Sequence, residues 1–459
     1  MKQSSSHISQ AEKRVAFSLA SIFSFRMFGL FMILPVFAIY AKDLSGVSPF
    51  LIGFAMGAYG LTQSLLQIPF GMLSDKIGRK PIIIFGLLIF ALGSAVAASA
   101  DSIQGVIIGR LLQGAGAISA VIMALLADLT REEQRTKAMA IIGMSIAFAF
   151  SIALVAGPVM ARWIGVQGLF WLTAGLALIG ILITLFIVPT PVISRHHHDA
   201  SASSKQFTRL LKTPALLKLD ISIFCLHLVL TSLFLVLPFS LLNHLNLSTE
   251  MHWQLYLPVI LLSLGVMVPF IIIAEKKQQI RGVILFSISL LILANLGFYF
   301  SQTEWMQTAF CLFLFFLGFN ILEATLPSLI SKTAPAANKG TAMGIYSTSQ
   351  FSGAFVGGVV GGWVSQQFSL ETIYLFSASI CMGWLLVAWT IKAPKNSQSY
   401  LFKVDLVKYP DSKVLADQLA ALNGINEVVI IVEESTAYLK INKQLIDLES
   451  LAPFRPKES

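Results

Sequence analysis

The stretch Gly71-Met-Leu-Ser-Asp75-Lys76-Ile-Gly78-Arg79-Lys80 decides how this chain is read. It lies between two long apolar runs, about 49–73 and 81–100. Gly71 reads as the end of one membrane-spanning helix. Pro81 reads as the opening of the next, where a missing backbone N–H costs least. Between them Asp75 and three cations, Lys76, Arg79 and Lys80, crowd a very short loop. Charges at helix ends can pair with neighbours in one conformation and release in another, so the loop reads as a conformational latch.

The composition around this loop is that of a membrane protein. Of 459 residues, 56% are hydrophobic and only 12% charged, and the mean hydropathy is +0.78. A soluble domain carries about 25% charged residues. The first apolar run is too long for a signal-peptide core and reads as the first span. Cys225, Cys311 and Cys381 all fall inside apolar runs, which argues against a disulfide framework and for packing as small hydrophobes. The net charge of +9 is explained by cationic loops on one face of a membrane, not by nucleic acid.

A helix needs roughly 20 apolar residues to cross a bilayer. Twelve such runs are present, at about 15–41, 49–73, 81–100, 103–128, 136–161, 167–189, 219–243, 252–274, 282–300, 305–330, 340–366 and 371–391. Loops carrying Lys76, Arg79 and Lys80, Arg131 and Arg135, Lys276 and Arg281, and Lys332 and Lys339 fall on one side. The other side holds only Lys42 and Arg162. By the positive-inside rule both termini are then cytoplasmic.

The polar segment 190–218 divides the spans into two sixes, 15–189 and 219–392. It contains His196-His197-His198-Asp199. Adjacent residues alone do not preorganise a metal site, so this tract reads as a solvated linker and no metal is expected. The halves echo each other. Pro69-Phe70 before Asp75-Lys76 recurs as Pro269-Phe270 before Glu275-Lys276. Ala138-Met139-Ala140-Ile141 recurs as Ala342-Met343-Gly344-Ile345, and Gly114 and Gly157 match Gly318 and Gly361. Duplicated halves are the usual build of a secondary transporter, with the site between repeats. Gln278 stands where a second Gly78 would be, so the first latch is the dominant one.

These residues resemble the major facilitator superfamily over roughly 15–392. Gly71 to Lys80 fits that family's motif in the loop between the second and third helices. Arg110-Leu-Leu-Gln113-Gly114 resembles its fourth-helix motif. Gly157-Pro158 resembles its antiporter motif, although Ala161-Arg162 replaces the usual closing glycines. Arg26 to Pro35, Asn320 to Ser328 and a small C-terminal domain resemble the YajR-type drug–proton antiporters within it. The resemblance implies that Asp75 caps the start of the eleventh helix and that Arg79 pairs with Asp128. Together they would lock an outward-open state and release on inward opening.

Charges inside spans are expensive, by about 2.5–3.5 kcal/mol each at the helix centre. The chain keeps Arg26 on the first span, Arg110 on the fourth and Glu323 on the tenth, with His227 on the seventh as the other titratable group. The family's architecture places those four spans around a central cavity. Glu323 is the first candidate for a proton carrier, because loss of water favours the neutral form of a carboxyl group. A permanent tie to Arg26 or His227 is its structural alternative. His227 can share the proton or serve only in packing. Arg26 stays charged and can balance Glu323, attract an anionic substrate or snorkel to a cavity edge. Arg110 resembles a member of the family's proton path. Asn320, one turn before Glu323, can offer an amide to the same cavity. Gln63 and Gln67 share a helix face and suit either substrate or an interhelical bond; Gln113 joins them as a cavity candidate. Gly157-Pro158 interrupts the hydrogen-bond ladder of the fifth span and reads as a hinge.

From Tyr400 the texture changes. A strand at 401–407, a helix at 413–422 ending at Asn423-Gly424, strands at 428–432 and 437–441 and a helix at 443–451 read as a ferredoxin-like module over 399–455. Its last strand is short or absent, leaving an edge that can pair with a second copy. It has no cysteine, which argues against soft-metal delivery.

The expected protein is an all-α polytopic membrane protein with this small α+β appendage. It takes no cofactor and is not an enzyme, since no nucleotide loop, metal cluster or nucleophile–base set is visible. It sits in a bacterial cytoplasmic (inner) membrane and exchanges a small, amphipathic or drug-like substrate for protons by alternating access. A proton-coupled nutrient importer, a facilitator, and a sensor signalling through the C-terminal domain are the alternatives.

Overall fold

The computed structural model describes residues 9–190, 204–276, 279–300, 303–335, 339–391, 398–406, 408–432, 435–441, 445–454 and 456. The histidine tract and the Gln278 position of the second latch lie outside the described residues.

The first half comprises α1 (Gln10–Tyr40), α2 (Pro49–Ile77), α3 (Arg79–Ala98), α4 (Ile103–Ala115), α5 (Ser119–Leu129) and α6 (Glu132–Phe186). A short α7 (Ser204–Leu211) lies in the linker. The second half follows as α8 (Pro214–Asn243), α9 (Trp253–Lys276), α10 (Ile280–Phe300), α11 (Trp305–Thr333), α12 (Lys339–Gln367) and α13 (Thr372–Trp389). Ten segments among the described residues are long and apolar enough to cross a membrane. Most of the expected runs map onto these helices.

Local chemistry sets the boundaries. Ser9 and Glu12 form a reciprocal capping box at the start of α1, which satisfies two orphan N–H groups. Ser48 caps α2 ahead of Pro49, and Ser102 caps α4. The helix before the latch does not end at Gly71. It runs on to Ile77, and Gly78 alone separates it from α3, at φ +103°. A Cβ is strained at that φ, so glycine permits the one-residue turn. Pro81 is accordingly the third residue of α3, not the first.

Three expected runs differ in form. The run 103–128 is broken into α4 and α5, because Gly114 and Gly116 thread between neighbouring backbones. A Cβ on Gly114 would lie 2.1 Å from the Tyr59 carbonyl oxygen, and one on Gly116 would lie 2.3 Å from that of Gly86. The runs 136–161 and 167–189 join into α6, whose backbone leaves helical geometry at Gly165 (φ 67°, ψ 173°). Helix α6 stays helical through Gly157 and Pro158, where the hinge of the fifth span is expected, and turns at Gly165, between the two expected runs. Gly157 also lets α6 touch α1, since a Cβ there would meet the Met32 carbonyl oxygen at 2.2 Å.

Helix α12 is too polar and glycine-rich to be among the ten. It is wedged between α2 and α8. Gly353 and Gly357 lie against the Phe224 and Leu228 carbonyls of α8, while Gly358 and Gly362 lie against Gly53 of α2. Burial on two faces by helix backbones removes the need for a continuous apolar surface.

The C-terminal residues form β1 (Gln398–Lys403), α14 (Ser412–Ala420), β2 (Ile425–Ile431) and β3 (Thr436–Ile441). The strands make one antiparallel sheet in the order β1-β3-β2. Asp411 caps α14 by accepting from the N–H groups of Lys413 and Val414. Leu415 and Leu419 of α14 join Phe402, Leu439 and Ile441 in a small core. The expected final helix at 443–451 is replaced by a 3-10 turn at Leu448–Phe454. Pro453 falls inside that turn and cannot donate to a continuing ladder.

Candidate functional site

The latch is a clasp around Arg79. Its guanidinium lies 2.5 Å from Asp75 Oδ1 and 3.1 Å from Asp128 Oδ2, and donates to Ser74 Oγ at 2.6 Å. Asp75 ends α2, Arg79 opens α3 and Asp128 ends α5, so one buried fork joins three helix termini. A guanidinium suits this task because its donors are fixed in a plane. Lys80 Nζ donates to the Val188 carbonyl at 2.8 Å, while Lys76 is exposed. Gly71 lies inside α2, where a Cβ would make only an ordinary contact with Ala120, at 3.8 Å.

A second cluster fills the first half. Arg26 of α1 is 2% exposed. It donates to Ser119 Oγ at 2.9 Å and to Gln63 Oε1, and its guanidinium lies 5.6 Å from both the Tyr59 and Phe90 ring centroids. Gln63 passes the network on to Gln67 at 3.0 Å. Arg110 lies 5.4 Å from the Tyr59 ring and donates to the Ala55 and Met56 carbonyls of α2. It also donates to Gln113 Oε1 at 3.0 Å, and Gln113 in turn donates to Ser94 of α3 at 2.8 Å. Gln113 thus ties α4 to α3 and is 1% exposed; as placed, it does not line an open cavity.

Glu323 belongs to a third cluster. Arg26 does not balance it: the partners of Arg26 are Gln63 and Ser119. Gln350 of α12 donates to His227 Nε2 at 2.8 Å and reaches Glu323 Oε1 at 3.4 Å. His227 Nδ1 lies 3.3 Å from the Ile223 carbonyl, which accepts its proton when Nε2 accepts from Gln350. Glu323 Oε2 stands 3.9 Å from His227 Nε2 and has no hydrogen-bond partner. Its side chain keeps 31% exposure, against 8% for His227. Asn320 is turned elsewhere, donating to Ser263 Oγ of α9 at 3.0 Å.

Sequence reasoning missed Gln350, Ser119 and Tyr59, which complete these clusters. It also missed Asp220, an acidic residue buried inside α8. A polar amide among Ser347, Thr348 and Ser349 offers no contrast, and Asp220 lies so near Lys218 that it reads as loop flank.

The second and third clusters face each other across the halves. Tyr59 of α2 meets Phe351 of α12 with ring centroids 5.9 Å apart, and Phe150 of α6 meets Phe319 of α11 at 5.5 Å. At the end of the bundle away from the latch the halves are in direct backbone contact through Gly53, Gly57 and Gly60. There Arg162 Nε also lies 3.1 Å from Glu250 Oε2.

Two apolar halves, an interdomain aromatic seam and a clasp between α2 and α3 define a helical membrane transporter. The sequence profile of the Major Facilitator Superfamily matches residues 19–358 and 280–404, and the chain belongs to that family. It is 45% identical over 434 residues to the inner membrane transport protein YajR of Escherichia coli (strain K12), covering 95% of each chain. It is 25% identical over 339 residues to the multidrug resistance protein MdtH of Aeromonas salmonicida (strain A449), covering 73% of this chain and 83% of that one. Among solved structures, a bacterial homologue of the human lysosomal transporter Spinster superposes with a TM-score of 0.69 at 13% identity, over 85% of this chain and 98% of that one. The chain is a multi-pass transporter of the bacterial inner-membrane type and not an enzyme.

Proposed function

We propose that this transporter exports small amphipathic compounds in exchange for protons. The observation that carries the reading is Glu323: a carboxylate in the middle of an apolar helix, partly open, with one oxygen lacking a hydrogen-bond partner. A group that must gain and lose a proton while substrate passes needs such incomplete solvation. His227 and Gln350 accommodate either protonation state, because the Gln350 amide can offer donor or acceptor. The similarity to a multidrug resistance protein supports drug-like substrates. The similarity to YajR, an inner membrane transport protein, supports the compartment.

In this reading α6 crosses twice, turning at Gly165, and α12 crosses once, giving twelve spans. The latch end faces the cytoplasm with both termini. The contact of α2 with α12 then closes the periplasmic side, and the Arg79 clasp holds within one half. The C-terminal sheet is a truncated ferredoxin-like module whose open β1 and β2 edges suit self-association.

The test uses proteoliposomes with an imposed pH gradient, an internal pH dye and a panel of lipophilic cations, neutral drugs and sugars. Wild type is compared with Glu323→Gln. Substrate-triggered proton flux lost in the variant supports antiport. Uphill substrate movement in the direction of the proton gradient would establish import instead. Substrate flux indifferent to the gradient would establish a facilitator. Deletion of residues 399–459 that spares transport but abolishes a cellular response would establish sensing.

A further inference from the structure

At the end opposite the latch, a cavity is walled by both halves. Val47 and Ile52 line it from the first half, and Leu235, Phe239 and Leu370 from the second. Its volume is about 330 Å³, within the roughly 300–1,000 Å³ of small-molecule sites. Ile52, Leu235 and Phe239 are buried, so the inner wall is apolar and set by packed helices. The cavity adjoins the glycine contact between α2 and α12. A Cβ on Gly362 of α12 would lie 2.9 Å from the Pro49 carbonyl oxygen, and both Pro49 and Ser365 border the cavity.

A cation stands at the mouth. Lys42 belongs to the 3-10 turn Ala41–Asp43 that follows α1 and lines the cavity. Its Nζ lies 4.0 Å from the centroid of the Phe239 ring, so the contact bridges the halves. Lys42 is exposed. Among the described residues no carboxylate pairs with it, not even Asp43 of the same turn. The other cation of this end, Arg162, is matched by Glu250. An ammonium has three donors, and the face of one ring leaves some of them for an acceptor. The nearby helix start competes little for an anion. Leu51 N–H donates to Ser48 Oγ at 3.2 Å, and Phe50 N–H donates to Gln366 Oε1 of α12 at 3.2 Å. An anion at the mouth is therefore met by Lys42, with the Ser48 hydroxyl proton left to donate beside it.

We propose that this cavity binds a single-chain amphiphile with an anionic head, a carboxylate or a phosphate. The head sits on Lys42, and the tail lies along Leu235 and Phe239. A neutral head leaves the ammonium without a countercharge, and a cationic head is repelled by it. The occupant touches both halves. It binds the state in which α2 meets α12 and shifts the population towards that state. The inference needs the two halves and their contact, and neither Glu323 nor proton exchange.

The experiment is photolabelling of the full-length protein in phosphatidylcholine nanodiscs, which bring no anionic lipid. The probe is dodecanoate with a diazirine at the end of its tail, and labelled peptides are mapped by mass spectrometry. Dodecanoate, dodecyl phosphate, dodecanol and dodecyltrimethylammonium compete with it. Label is expected on α8 around Leu235 and Phe239, suppressed by both anions and not by the alcohol or the cation. Stronger competition by the phosphate would assign the site to a lipid-type head, and stronger competition by the carboxylate to a free acid; either supports the site. Lys42 is exposed, so Lys42→Met keeps the fold. It is expected to weaken dodecanoate competition by about tenfold, the scale of a lost charge-assisted bond, and Lys42→Arg should restore it. Equal competition by dodecanol, or equal competition in Lys42→Met, would overturn the anion site. Label confined to the lipid-facing surface would overturn the cavity. Spin labels across this end should show a smaller open fraction with dodecanoate than without it. Binding without that shift would overturn the coupling to the closed state.

Discussion

Gly53 of α2 and Gly358 of α12 touch backbone to backbone across the two halves: a Cβ added to Gly53 would lie 2.1 Å from the Gly358 carbonyl oxygen. Gly57 and Gly60 continue the contact against Phe355 and Phe351, at 2.7 and 2.4 Å for an added Cβ. This seam holds the end opposite the latch shut, and a rocking transporter must part it in its other state.

Gly53→Ala should therefore penalise this state and not the other. A misfit of about 1.4 kcal/mol shifts the population of two states tenfold. Spin labels placed across the opposite end should report a larger open fraction in Gly53→Ala than in wild type. Gly344→Ala, on the same α12 but with no neighbour within 4 Å of its Cβ, should leave the distribution unchanged and gain about 1 kcal/mol of helix stability. Equal distributions in all three proteins would remove the seam from the mechanism.

The Arg79 clasp yields a second expectation. Arg79→Lys keeps the charge, but one ammonium cannot hold Asp75, Asp128 and Ser74 in a single plane. Loss of buried charge-assisted bonds costs about 1.5–3 kcal/mol, and thermal unfolding in nanodiscs should show a lower Tm. Asp128→Asn should lower it too. The double variant should fall short of the sum, because both changes break one network. Strict additivity would mean that the two residues act independently.

How much of this was visible beforehand depends on contrast. The Asp75 to Lys80 cluster stands out because charge is rare between apolar runs, and its Asp128 partner followed from family resemblance. Glu323, Arg26 and Arg110 stood out for the same reason. What they pair with did not. Arg26 and Glu323 suggested a salt bridge, yet Arg26 is served by Gln63, Ser119 and two aromatic faces, because its helix neighbours reach it first. The glycines of α2 were invisible as an interface, since glycine spacing alone does not name the opposing helix. At Gly157-Pro158 the glycine also serves close packing onto Met32 of α1, and the backbone of α6 departs from helix only at Gly165.

Acid should test a tie at the opposite end. Glu371 Oε1, just before α13, lies 3.8 Å from His244 Nε2, just after α8, with each side chain 34% exposed. Partial burial pushes the Glu371 carboxyl up, but hydrogen bonds from its own backbone and Ser369, with His244 nearby, outweigh this and hold it below its ordinary 4.5. A depressed folded pKa means the stabilisation is complete above the unfolded value and vanishes as pH falls through the folded one. Amide exchange at the start of α13 should stay slow from neutral pH to below 4.5 and quicken only under stronger acid. Glu371→Gln should exchange faster at neutral pH and show no such step. A step at or above 4.5 in wild type would contradict the assignment.

Gln63→Glu asks whether the Arg26 cluster is scaffold or machinery. Gln63 Oε1 accepts from Arg26, and Gln63 Nε2 donates to Gln67. A carboxylate at position 63 turns the first contact into a charge-assisted bond, roughly twice as strong as a neutral one. It also removes the donor to Gln67. The buried Arg26 currently has only neutral partners, so the added countercharge should raise Tm despite the lost amide bond. If Arg26 serves only to tie α1 to α2 and α5, substrate flux in proteoliposomes should be unchanged. If Arg26 must let go of Gln63 when the halves rock, a stronger bond should slow turnover by about tenfold per 1.4 kcal/mol of added stabilisation. A protein that is more stable yet slower would place Arg26 among the moving parts; one that is less stable would show that desolvating the new carboxylate costs more than the ion pair returns.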